Sequence, residues 1–184
     1  NVIHVAGKVD PIADIEVIQT ELCLADLSTV EKAVQRYTKA SKSGNDKEAV
    51  AMLKLLGPVQ AALNEARPVR TLDLSKEDRA LLKQLFLITA KPAMFVGNVS
   101  EDGFDNNPLL DRLKDYAASQ KAPVVAICAK MEADMAEMND EDKAIFLEEM
   151  GQSEPGLNRV IRAAFSLLGL QTYFTAGVKE VRAW

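Results

Sequence analysis

Between residues 13 and 43 the apolar positions recur at helical spacing. Cys23, Leu27, Val30, Val34 and Tyr37 step by four and three, which predicts a long helix with one buried stripe, and Asp14 is placed to cap its first turn. The cluster Ser43, Gly44, Asn45 and Asp46 predicts a turn. A second helix is predicted over 47–66, with Ala49, Leu53, Leu56 and Leu63 on one side. Pro58 should kink or restart it, because proline lacks the backbone donor. Two helices joined by a short polar turn read as an antiparallel hairpin, ended by Arg67 and Pro68. A capping-box pattern at Ser75 opens a short helix through Leu85.

The pattern then changes. Residues 92–97 and 123–128 are continuous apolar runs, the signature of strands buried on both faces in a parallel sheet. Helices are predicted near 108–120, 140–150 and 157–168, and two late strands over 170–175 and 178–184 around Ala176 and Gly177. The strand–helix–strand order makes the latter half α/β.

The chain has 184 residues, 48% hydrophobic and 27% charged, the composition of a soluble globular domain. It has no run of about 18 apolar residues, so no membrane span is expected, nor is a signal peptide visible. Cys23 and Cys128 lack metal-ligand spacing and read as two buried thiols in a reducing cytoplasm. The chain opens at Asn1 in an apolar alternation and stops at Trp184 inside a strand-like run, so it reads as an excised middle.

The candidate chemistry sits where the first apolar run ends. Asn98, Val99, Ser100 and Glu101 follow it and open into the polar loop 102–108. P-loop GTPases read their base with Asn-Lys-x-Asp at such a place, and here Val99 replaces the lysine and Glu101 the aspartate. Aspartate accepts from guanine N1–H and the 2-amino group, and adenine has neither donor. One extra methylene moves the glutamate out of that pairing. Asn98 can still donate to N7 and accept from the 6-amino group, as amides do with adenine. The altered motif leans toward adenine.

With these elements placed, the chain resembles the Obg-like ATPases of the YchF type, a branch of the P-loop GTPase superfamily. The stretches that carry the resemblance are NVIHVAGKVD at 1–10, residues 14–27, NVSEDGFDNNP at 98–108, and 154–184 with EPGLNRVIRA and LQTYFTAGVKEVRAW. The resemblance implies ATP preferred to GTP through Asn98, Val99 and Glu101, with a second base-side loop at Cys128, Ala129 and Lys130. It also implies a helical hairpin inserted in the nucleotide domain, association with ribosomes, and a C-terminal TGS domain. The implied architecture is α/β, the latter part of a P-loop nucleotide-binding domain. Residues 1–12 form its edge, 13–74 the inserted, coiled-coil-like hairpin, and 75–184 its C-terminal part.

The departures from the family are as informative. A phosphate cradle needs G-x-x-x-x-G-K-[ST], and the 184 residues contain none; Gly7 and Lys8 are followed by Val9. The phosphate and magnesium ligands, and the switch segments, are expected upstream of Asn1, and the TGS domain downstream of Trp184. The chain by itself is expected to read the base without hydrolysing ATP.

Charge adds a second candidate. Net charge is −5, yet residues 28–70 hold eight basic against four acidic residues, +4, which leaves −9 for the remainder. Lys32, Arg36, Lys39 and Lys42 step by four, three and three and share a helix face, able to neutralise phosphates of ribosomal RNA or to be a plain solvated surface. With Tyr37 the one aromatic nearby, such binding would read backbone and not sequence. The competing function is therefore a non-catalytic module that docks this hairpin on ribosomal RNA or protein. His4 is the single histidine and reads as structural, which excludes histidine-based metal clusters. Glu132, Asp134, Glu137, Asp140, Glu141 and Asp142 match no calcium loop and read as a solvated helix pair. Met131, Met135 and Met138 step by four and three and read as core.

Overall fold

A computed structural model describes residues 7–43 and 46–183, so expectations for His4, Gly44, Asn45 and Trp184 lie outside the described residues. The chain divides into two compact units, one through Pro92 and one from Ala93.

The first unit is built on α1 (Pro11–Ser43) and α2 (Lys47–Asn64). The α1 stripe packs as its spacing predicts: Cys23 and Val30 are buried, with Leu27, Val34 and Tyr37 packed beside them. The helix starts two residues earlier than the expected residue 13, with Asp14 in its first turn. Pro11 takes the first helical position, where its missing N–H costs nothing, and Asp10 Oδ1 accepts from Ala13 N at 3.5 Å. On α2 the buried face is Ala49, Met52, Leu55, Leu56, Val59, Ala62 and Leu63, while Leu53 is only half-buried. Asp46 caps α2 by accepting from Ala49 N at 3.0 Å. The helix runs unbroken through Pro58, contrary to the expected restart. Pro58 and Lys54, whose carbonyl loses its partner, both lie on the exposed side, where water can replace the bond. Gln19 of α1 donates to Ala66 O, just past α2, at 3.2 Å, so the two helices run in opposite directions.

Residues 75–92 pack within this unit. α3 (Lys76–Leu82) is capped by Ser75, whose Oγ accepts from Asp78 N at 3.0 Å. Three short 3₁₀ turns, Val69–Thr71, Lys83–Leu85 and Ile88–Ala90, surround it. Val69, Leu82, Leu85 and Leu87 join the α1/α2 core. The joint is also polar. Buried Asp26 of α1 accepts from Ile88 N at 2.8 Å and Thr89 N at 2.7 Å, and Thr89 Oγ1 accepts from Val69 N at 3.2 Å.

In the second unit β1 (Phe95–Asn98) pairs in parallel with β2 (Val124–Ile127), in the register Phe95–Val124 to Asn98–Ile127. Between them runs α4 (Pro108–Ser119), and after β2 come α5 (Ala129–Ala136), α6 (Asp140–Glu149) and α7 (Gly156–Leu168). β3 (Phe174–Ala176) and β4 (Val181–Ala183) form an antiparallel pair. The architecture is α/β, with strands shorter than the apolar runs that announced them. Burial on both faces is not reached: among the described residues β1 has one neighbouring strand, and Val96 is 44% exposed. Gly97 marks the covered face, since a Cβ there would lie 3.2 Å from Leu113 and 3.3 Å from Leu110 of α4. Met131 and Met135 are buried, with Met138 packed against them. No described helix is long and apolar enough to cross a membrane.

Candidate functional site

The parallel register carries both strands to the same edge, so Asn98 and Cys128 emerge side by side. Val99 N donates to Ile127 O at 2.8 Å and extends the ladder by one bond. Carboxyl ends of parallel strands leave a crevice where α/β proteins seat ligands. Here a pocket of about 570 Å³ is lined by Asn98, Val99, Ser100, Glu101, Asp102, Cys128 and Lys130.

Its loop is held from within. Ser100 Oγ donates to Asp102 Oδ1 at 2.7 Å, Gly103 N donates to Ser100 O at 2.9 Å, and Asn107 Nδ2 donates to Gly103 O at 2.9 Å. The hydrogen bond from Ser100, helped by one from the Asp102 backbone, lowers the Asp102 pKa. Asn107 also caps α4, accepting from Leu109 N at 3.1 Å and Leu110 N at 3.2 Å. The loop therefore hangs between the end of β1 and the start of α4.

Asn98 is fixed by α5. Its Oδ1 accepts from Ala129 N at 3.0 Å, a bond that needs the oxygen because a backbone N–H requires an acceptor. The side-chain NH₂ is thereby the edge left to donate. The oxygen keeps a second lone pair, so the pairing expected from sequence, with both edges on the base, is still open to it. Ala129 and Lys130 are not a loop, as expected from sequence, but the first two residues of α5, with Cys128 as the N-cap residue. Helix α5 starts at once because the Met131/Met135 stripe is drawn into the core.

Glu101 and Lys130 meet across the pocket, Nζ to Oε1 at 2.7 Å. The hydrogen bond and the charge of Glu101, with smaller contributions from Asp134 and Cys128, raise the Lys130 pKa. The pair is exposed, so its worth lies in geometry more than stability.

Behind the site, α5 and α7 are joined by Glu132, which accepts from Gly156 N at 2.6 Å and Leu157 N at 3.1 Å and so caps α7. Gly156 is required there: a Cβ would stand 2.8 Å from Glu132 Oε1 and 2.9 Å from Ile127 Cγ2. Arg159 reaches from α7 to Ala126 O on β2 at 3.0 Å, and its guanidinium lies over the Phe104 ring at 5.5 Å. Neither role was visible in the sequence, because the partners of Glu132 and Arg159 lie 24 and 33 residues away. The acidic residues from Glu132 to Asp142 do not converge; among the described residues no group of three could hold a metal ion.

The second candidate set lies in the first unit. Lys32, Arg36, Lys39 and Lys42 are all exposed, on the side of α1 opposite Cys23, Val30 and Ala33. Arg36 is partly engaged: its guanidinium lies 4.6 Å from the Tyr37 ring centroid and donates to Tyr37 Oη at 2.8 Å.

No family model matches the chain. Full-length similarity to individual proteins is nevertheless high. The ribosome-binding ATPase YchF of Escherichia coli O157:H7 is 55% identical over all 184 residues, and that of Bacillus subtilis (strain 168) is 47% identical over 187 aligned residues. The chain spans about half the length of these relatives, 50% and 51%. Among solved structures, the Schizosaccharomyces pombe YchF GTPase superposes with a TM-score of 0.84 at 28% identity, covering all of this chain and 51% of that one. On this combination of sequence and fold, the chain belongs to the YchF family.

Proposed function

We propose that this chain forms the base-reading half of an ATP-binding, ribosome-associated ATPase that works in the cytoplasm. The observation that carries the reading is the Asn98–Ala129 bond, which orients an amide NH₂ at the mouth of the pocket beyond β1. That NH₂ would donate to purine N7, an acceptor adenine and guanine share. Discrimination then rests on the neighbours. Val99 supplies an apolar wall where a guanine reader carries lysine. Glu101 is drawn toward Lys130 and turned from the pairing that guanine N1–H and its 2-amino group would need. Ala129 anchors Asn98, and the aliphatic stem of Lys130 closes the other side of the ring.

The residues present fit a base and not a triphosphate. The G-x-x-x-x-G-K-[ST] pattern is absent from these 184 residues, so the phosphate and magnesium ligands of the proposed ATPase lie in other parts of the protein. The relatives' names, ribosome-binding ATPase and GTPase, support hydrolysis and ribosome association for the intact protein. The α1/α2 pair, read as an insertion in the nucleotide domain, supplies the polyanion face Lys32, Arg36, Lys39 and Lys42. The test is a titration of the full-length protein with ATP. Asn98→Ala should weaken binding by about 1–3 kcal/mol, the scale of a good amide–base contact. Unchanged affinity would remove Asn98 from the site.

A further inference from the structure

A second concavity lies in the first unit and takes no part in the nucleotide reading. It encloses about 320 Å³ between α3 and the 3₁₀ turns that surround it. Its floor is rigid, because Val69, Leu82 and Leu87 are buried members of the α1/α2 core. Its rim is of one sign: three exposed cations, Arg79, Lys83 and Lys91, with half-buried Arg70 also in the lining and no carboxylate among the lining residues. Arg79 is held in place, donating to Leu74 O at 3.1 Å and Leu72 O at 3.3 Å through groups that leave its charge intact.

Phe86 is the anomaly at the mouth. It stands at φ 51° in the left-handed region, which bulky side chains avoid, and it is 82% exposed. The backbone turn ends the helical segment, with Phe86 N donating to Lys83 O at 3.1 Å, but a ring left in water adds nothing to the core. A large exposed aromatic at the mouth of an apolar groove is the kind of side chain that serves binding.

We propose that this groove docks an acidic protein segment which inserts one large apolar side chain against Phe86 and the Val69/Leu82/Leu87 floor, with its flanking carboxylates on Arg79, Lys83 and Lys91. Charge complementarity selects an acidic partner. The carbon floor selects a protein side chain over a nucleotide base, since it offers no donor or acceptor to a base edge. An apolar anchor in a desolvated pocket ringed by charge is the usual build of an interaction hot spot.

The experiment measures fluorescence anisotropy with the full-length protein. The probe is a fluorescein-labelled decapeptide with a central Leu-Phe pair between Asp/Glu flanks. The controls are the same peptide with Asn/Gln flanks, the same peptide with a Ser-Ser centre, and a labelled ten-nucleotide oligouridylate. The acidic apolar peptide should bind, each control peptide about tenfold more weakly or worse, and the oligouridylate without dependence on this rim. Lys83→Glu with Lys91→Glu should cost about tenfold at unchanged melting temperature, both side chains being exposed. Phe86→Ala should weaken the same peptide without altering its salt dependence. Binding that ignores the flanks, or that survives both variants, would overturn the proposal. So would loss of oligouridylate binding in the charge-reversed variant, which would assign the rim to phosphates.

Discussion

Asn98 has two tasks, and they can be separated. Its oxygen terminates the first free N–H of α5, and its NH₂ faces the pocket. Alanine removes both, so part of its effect would be loss of local order. Asn98→Asp keeps an acceptor for Ala129 N and replaces the donor with a negative oxygen facing purine N7. Asn98→Asp should melt within a degree or two of the parent yet lose ATP affinity at least as far as the alanine variant, roughly tenfold or more. Thermal melting with and without ATP checks both halves. An aspartate variant that binds ATP normally would show that the NH₂ does not meet the base. None of this division was legible in the sequence. The Asn-x-x-Glu spacing located the residue, but the Ala129 partner lies 31 positions away and is a backbone group.

At the level of elements, periodicity announced most of the fold and failed where packing is not periodic. The α1 stripe and the capping residue Ser75 were visible because helical spacing and local side chain–backbone bonds are written in consecutive residues. The start of α1 lies two residues before the expected one, because Pro11 takes the first helical position and Asp10 accepts from Ala13 N. The attachment of residues 75–92 to the helix pair was hidden. Leu82, Leu85 and Leu87 follow no single period, and the tie that fixes them is one carboxylate, Asp26, on two backbone amides. That tie is testable. Asp26→Ala leaves the buried Thr89 amide and the part-buried Ile88 amide without their acceptor and should destabilise the first unit by about 2–3 kcal/mol. Urea unfolding followed by circular dichroism reads it directly. A loss below about 0.5 kcal/mol would mean the segment is held by its leucines alone.

Over the whole molecule, the uneven charge is the feature most open to a functional test. The basic face of α1 sits in an acidic chain, opposite the side that packs, so nothing in the core needs its charges. Replacing Lys32, Arg36, Lys39 and Lys42 with glutamine should leave folding and ATP affinity intact. It should also reduce ribosome co-sedimentation and flatten its dependence on salt, because a phosphate that is not neutralised releases no counterion. Pelleting equal to the parent at every salt concentration would reduce this face to solvated surface.

In the proposed function two side chains, Val99 and Glu101, turn a guanine-reading frame into an adenine reader. Val99→Lys with Glu101→Asp restores the guanine pattern and releases Lys130 from its ion pair with Glu101. Isothermal titration of the full-length double variant with ATP and with GTP compares the two affinities in one background. The ratio should shift toward GTP by about tenfold or more, the discrimination expected of a paired base contact. A ratio unchanged from the parent would contradict it and move selectivity away from Val99 and Glu101.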